Sequence, residues 1–135
     1  MLLTKECDYG VRAIRALRSG DKMTVKDICD KEHIPGQYAY KILKKLELAR
    51  LVKGFRGRDG GYQLIKPLES ITLLEIVSAI DNNLYLNECL REGVECAFKD
   101  RRHENVCSVH LELDRIQSVL TSELRRKTMR DLVSP

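Results

Sequence analysis

Apolar positions recur along this chain with a helical period in five stretches and cluster around glycines in one. Cys7, Val11, Ile14 and Leu17, with Ala13 and Ala16 beside them, predict a first helix from near Thr4 to before Gly20. Gly20 is a natural helix stop. Thr24 reads as the N-cap of a short second helix, with Asp27 three residues on and Val25 and Ile28 facing inward. Ile34-Pro35-Gly36 breaks that helix, and Pro35 can open the next. The third helix, Pro35 to Leu48, turns Ala39, Ile42, Leu43 and Leu46 inward. Gln37, Tyr38, Tyr40, Lys41, Lys44 and Lys45 are left outside. Two short helices with a tight break between them form a helix-turn-helix unit.

The pattern then changes. Apolar and aromatic residues in Leu51–Phe55 and Tyr62–Ile65 flank the glycine-rich, arginine-bearing run Arg56-Gly57-Arg58-Asp59-Gly60-Gly61. That is a β-hairpin signature, and a hairpin directly after a helix-turn-helix is a wing. Thr72-Leu73-Leu74-Glu75 is a capping box that opens a helix through Ile76, Val77 and Ile80, ending near Asn82-Asn83. From about Glu104 to Lys127, Val106, Val109, Leu113, Ile116, Leu120 and Leu124 form a stripe with spacings of three and four. Such a stripe suits a partner helix.

The predicted fold is therefore mainly α with a small β-hairpin. A winged helix-turn-helix head occupies residues 1–83, a cysteine-rich loop 84–103, and a dimerisation helix with a tail 104–135. A chain of 135 residues can build one well-packed core of this kind.

Charge sharpens the picture. The net charge is only +4, yet residues 84–135 carry nine basic and nine acidic residues, so the whole excess lies in residues 1–83. Between Lys41 and Lys66 eight basic residues stand against two acidic ones, Glu47 and Asp59. A basic patch over the third helix and hairpin suggests a polyanion partner. The DNA-facing candidates are Thr24, Gln37, Tyr38, Tyr40, Lys41, Lys44, Lys45, Arg56 and Arg58. Lysines would hold phosphates, the amide and phenols would lie nearest base edges, and the arginines would serve the wing tip.

No apolar run approaches 18 residues and the N-terminus lacks a signal-peptide layout, so a cytoplasmic location is expected. Five cysteines, an odd count in a reducing compartment, argue against a disulfide framework. Cys7 and Cys29 have apolar neighbours and read as core. Cys89, Cys96, Cys107 and His110 instead lie among polar residues and offer thiolates and an imidazole, ligands suited to soft and borderline metals. A zinc ion on a Cys₃His set would satisfy that composition. No acid–base or nucleophilic constellation points to an enzyme.

The chain resembles the IscR/NsrR family of winged-helix transcriptional regulators nearly end to end. The likeness runs through Leu3-Thr4, Asp8-Tyr9-Gly10 and Arg12-Ala13, then the helix-turn-helix centred on Ile34 to Leu46. It continues through the wing Arg56–Leu64, the segment Ile71–Val77, the three cysteines, and Thr128-Met129-Arg130-Asp131-Leu132. The resemblance implies a homodimeric repressor or activator that binds a palindromic operator. It also implies an iron–sulfur cluster on Cys89, Cys96 and Cys107, [2Fe–2S] in preference to [4Fe–4S], with zinc as the alternative metal. The fourth ligand would be His110, or Asp8 as the alternative. Ten residues separate Cys96 from Cys107, a longer arc than the family pattern has. The competing reading is a cluster-free regulator that senses through thiols or a protein partner.

Overall fold

A computed structural model describes residues 3–96 and 107–133. Helix α1 (Lys5–Ala16) is capped by Thr4, α2 (Val25–Glu32) by Thr24, and α3 (Gly36–Leu48) follows Pro35. Strands β1 (Val52–Phe55) and β2 (Gly61–Leu64) form an antiparallel hairpin in the register Val52↔Leu64, Gly54↔Tyr62. Helix α4 (Leu73–Ile80) has the full Thr72/Glu75 capping box. Helix α5 (Ser108–Arg126) and a single turn, α6 (Met129–Leu132), complete the described chain. Short 3₁₀ turns lie at Leu68–Ser70 and Glu88–Leu90. The mainly helical fold with a small hairpin and a long C-terminal helix matches the architecture predicted from the sequence.

Pro35 stands just outside α3 as its N-cap, with extended backbone, rather than as its first helical residue. Gly20 lies three residues past the cap of α1, in the left-handed region at φ +84°. Among the described residues, no helix is long and apolar enough to cross a membrane.

One core holds the head together. Ile14, Leu17, Ile28, Ile42, Leu43, Leu46, Ile71 and Ile76 are fully buried, and α1 packs against α2, α3 and α4. The tail joins this core. Met129 is buried, Val133 nearly so, and the Met129 amide donates to the Ile71 carbonyl at 2.7 Å. Thr72 and Thr128 pair as an isolated antiparallel bridge. A second capping box, Thr128 with Asp131, starts α6. Hydrogen bonds from Thr128 hold the Asp131 carboxyl below its ordinary range.

Among the described residues, Glu32 is the buried charged side chain, and Arg15 on α1 answers it with Nη2 at 2.5 Å and Nε at 3.0 Å. The Arg12 guanidinium also donates to the Glu32 carbonyl. These contacts set α2 against α1. Removing one partner of a buried pair leaves an uncompensated charge, at a cost of several kcal/mol. Arg15 is half-exposed, which lets water screen part of that cost. Arg15→Ala is therefore expected to lose about 2 kcal/mol of stability, read as a lower urea midpoint at unchanged slope. A midpoint equal to the parent's would show that water replaces the guanidinium without penalty.

Candidate nucleic-acid interface

The inward residues of α3 leave a continuous outer face. Gln37, Tyr40, Lys41, Lys44 and Leu48 are all exposed and fall at spacings of three and four. Because α3 is pinned to α1 and α4 by Ala39, Ile42, Leu43 and Leu46, this face is held outward by the core. Tyr40 is 67% exposed and Leu48 74%, so this face presents aromatic and apolar surface beside its lysines. Tyr38 is half-buried, its ring 5.5 Å from that of Tyr9. Thr24 is exposed, and its hydroxyl accepts the Asp27 amide at 3.1 Å.

The lysines differ in their partners. Lys45 Nζ donates to the Ile80 carbonyl at 2.9 Å, the end of α4, where a cation meets the negative end of the helix dipole. Lys41 Nζ is 3.3 Å from Glu6, and Lys45 is 3.6 Å from the same carboxylate. Lys44 is 64% exposed, with Glu47 at 3.6 Å. Exposed pairs of this kind are weak and are readily exchanged for a phosphate.

The hairpin stands beside this face. Arg56, Gly57, Arg58 and Asp59 are exposed at its tip, and Gly57 takes φ +93°, a conformation that favours glycine. Met23 adds a third strand position: its amide donates to the Tyr62 carbonyl at 2.9 Å, and the Tyr62 amide returns to the Met23 carbonyl at 2.8 Å. Gln63 Nε2 donates to the Gly20 carbonyl at 2.6 Å. Lys22 and Lys53 sit 5.2 and 5.3 Å from the centroid of the Phe55 ring, adding cations along the wing.

The described part of the cysteine segment does not bring together the metal site expected from its cysteines and His110. A metal or cluster needs three or four donors converging on one point at about 2.0–2.3 Å each. Among the described residues, no group of three or more His, Cys, Asp or Glu side chains could hold a metal ion. Cys89 stands in the 3₁₀ turn Glu88–Leu90, Cys96 beyond the turn at Gly93, and Cys107 caps α5 without a side-chain hydrogen bond. His110 lies half-buried in the first turn of α5. Asp8, the alternative ligand, pairs with Arg12 at 3.0 Å along α1. Contrary to the expectation from the sequence, neither an iron–sulfur cluster, [2Fe–2S] or otherwise, nor zinc has a converging ligand set among the described residues. All five cysteines are free thiols. Gln117 of α5 anchors the start of this segment through both ends of its amide, donating to the Leu84 carbonyl at 3.0 Å and accepting the Leu86 amide at 2.8 Å.

Helix α5 has no fully buried residue along its 19 positions. Leu113, Leu120 and Leu124 are half-buried, on the side that also carries Gln117, while Val109, Ile116 and Val119 along its margin are exposed. The predicted stripe thus runs along one side of α5, half-buried at Leu113, Leu120 and Leu124 and exposed at Val109 and Ile116. Val106 lies outside the described residues.

Comparison with known proteins identifies the company this chain keeps. A family model described as Rrf2, iron-dependent transcriptional regulator, matches residues 3–135. An HTH-type transcriptional regulator of Haemophilus influenzae is 35% identical over 104 residues, 71% of this chain and 69% of that protein. The HTH-type transcriptional regulator NsrR of Bacillus licheniformis is 27% identical over 137 residues, covering 98% and 92%. Among solved structures, IscR of T. potens superposes with a TM-score of 0.70 at 20% identity, over 96% of this chain and 83% of that one.

Proposed function

Because this chain belongs to the Rrf2 family of transcriptional regulators, we propose that it is a homodimeric, winged-helix DNA-binding regulator that works without a metal cluster. The observation that carries the DNA reading is the exposed stripe Gln37, Tyr40, Lys41 and Lys44 beside an arginine-tipped wing. Helix α3 enters the major groove, and Arg56 and Arg58 reach the neighbouring minor groove, where negative potential is concentrated. The family is one of regulators, not enzymes.

The dimer reading rests on Val109, Ile116 and Val119, an exposed apolar row seven and three residues apart. A second α5 would cover it and place two recognition helices on successive half-sites of a palindromic operator. The signal enters through a protein partner or through the three thiols of the 84–107 region. Cys7 and Cys29 are poor sensors. Cys7 is buried, while burial and the Asp30 charge push the Cys29 thiol above its ordinary range and lower its thiolate content.

Selection from a randomised duplex library, followed by titration at several salt concentrations, tests this reading. No enriched sequence and no salt-dependent binding would overturn it. Lys44→Ala should weaken binding to every duplex and lower the salt slope by about one unit, as for one lost phosphate contact. Gln37→Ala should relax discrimination at one base pair per half-site, because an amide reads a base edge bidentately. A Lys44→Ala loss confined to one base position would reassign that residue to readout.

A further inference from the structure

The edge strand of the wing has a backbone donor that the hairpin does not use. In an antiparallel ladder, successive residues point their N–H and C=O groups to alternate sides. The polar backbone groups of Tyr62 face Met23, so Gly54, opposite Tyr62, points its N–H away from β2. An unpaired edge donor of this kind is left to water or to a side chain. Here Glu47, on the last turn of α3, accepts it through Oε2 at 2.6 Å. Its other oxygen lies 3.6 Å from Lys44 Nζ. The fit leaves no spare space: a Cβ at Gly54 would lie 2.7 Å from Glu47 Oε2 and 3.1 Å from the Tyr62 ring. The same carboxylate raises the Tyr62 pKa, after burial the next cause.

A carboxylate beside Lys44 repels phosphate, so charge alone would make Glu47 a handicap on a DNA-facing surface. We propose that Glu47 is a positioning residue for DNA recognition, its carboxylate locking the wing to the recognition helix. The lock fixes the angle at which Arg56 and Arg58 stand relative to Gln37 and Lys44. Helix and hairpin are joined by only three residues, 49–51, with Arg50 at φ +62°. Leu51 and Val52 are buried and the Met23–Tyr62 bridge holds β2, so loss of the Glu47–Gly54 bond loosens the tip-ward end of β1, Gly54–Phe55, which carries Arg56 and Arg58. This inference rests on the reading that α3 and the wing both touch DNA, and the lock itself can be examined without DNA.

The experiment uses the full chain as parent, Glu47→Gln, Glu47→Ala, Gly54→Ala, Arg58→Ala and Glu47→Ala/Arg58→Ala. Amide hydrogen exchange is read first. The Gly54 amide should exchange about tenfold faster in Glu47→Ala and stay near the parent rate in Glu47→Gln, which keeps an acceptor oxygen. The Lys53 amide, facing Gln63 across the hairpin, should change in neither. An unchanged Gly54 rate in Glu47→Ala overturns the lock. Binding to the duplex selected by the parent is read second. Glu47→Ala should bind about fivefold more weakly, and Glu47→Gln at or above the parent. Gly54→Ala displaces the carboxylate with Glu47 intact and should reproduce the loss, which covers the case in which Glu47→Ala does not fold. The double variant should bind like Arg58→Ala alone, since a wing without its contact has nothing left to misplace. Additive losses overturn the positional role, as does an equal change in Glu47→Ala and Glu47→Gln, which marks a charge effect. If Arg58→Ala binds like the parent, the wing reading falls and the recognition role of Glu47 with it, while the Gly54 exchange rate still decides whether the lock exists.

Discussion

Ile116→Asp is expected to yield a monomer and to weaken binding to a two-fold DNA site by about a hundredfold or more. Ile116 is 39% exposed at the margin of the α5 stripe, beside the exposed Val109 and Val119. A two-fold interface repeats each residue, so one substitution places two carboxylates in the same seam. Desolvating each costs several kcal/mol, and the pair repel. Splitting the dimer removes the gain from tethering two half-site contacts, which alone can be worth a hundredfold. Sedimentation and duplex titration on the same samples measure both effects. Because Ile116 adds nothing to the buried core, thermal stability of the head should change little. If the Ile116→Asp protein remains a full-strength dimer, a different face joins the subunits.

Gly61→Ala is expected to destabilise the protein by about 3 kcal/mol. Gly61 has φ +150°, and a Cβ there would lie 2.4 Å from the Met23 carbonyl oxygen and 2.8 Å from its carbon. Backbone atoms cannot swing aside as a side-chain tip can, so relief requires breaking the Met23–Tyr62 bridge. Gly57→Ala is the control: φ is +93°, but nothing lies within 4 Å of the added methyl. It should cost about 1 kcal/mol, the backbone term alone. Urea unfolding of the two variants separates clash from strain, and equal costs would show that the Met23 contact yields freely.

The helix-turn-helix was legible because Ala39, Ile42, Leu43 and Leu46 leave one helical face apolar and the other charged, and burial follows that split. The wing was legible from its glycines. Other features depend on contacts remote in sequence. The α5 stripe reads as one seam at spacings of three and four, but the spacing does not show which of its members the chain itself half-covers, Leu113 and Leu120, and which it leaves exposed, Val109 and Ile116. Cysteine composition suggested a metal site, but among the described residues no donors come to a point, and Cys89, Cys96 and Cys107 occupy separate turns. Glu47 stood in the sequence only as one of two acids in a basic stretch, because its partner is a backbone amide seven residues on. Met129 and Val133 gave no periodic signal, since α6 is a single turn. The available clue was Thr128 followed three residues later by Asp131, the pattern that also opens α4.

The docking of Met129 and Val133 beside Ile71 bears on the order of events during synthesis. Domains usually fold as their N-terminal part emerges from the ribosome. Here two core side chains of the head, Met129 and Val133, lie beyond α5, and Met129 is hydrogen-bonded to a residue fifty-eight positions earlier. Contacts of such separation close late, because the loop entropy must be met before they contribute. The recognition surface therefore gains its full stability only after α5 has been translated. A nascent or prematurely ended chain would carry α3 and the wing on an incomplete core. Stability of the α3 and wing surface is in this way tied to the segment beyond α5, so a fragment that stops before Met129 is expected to hold that surface less firmly.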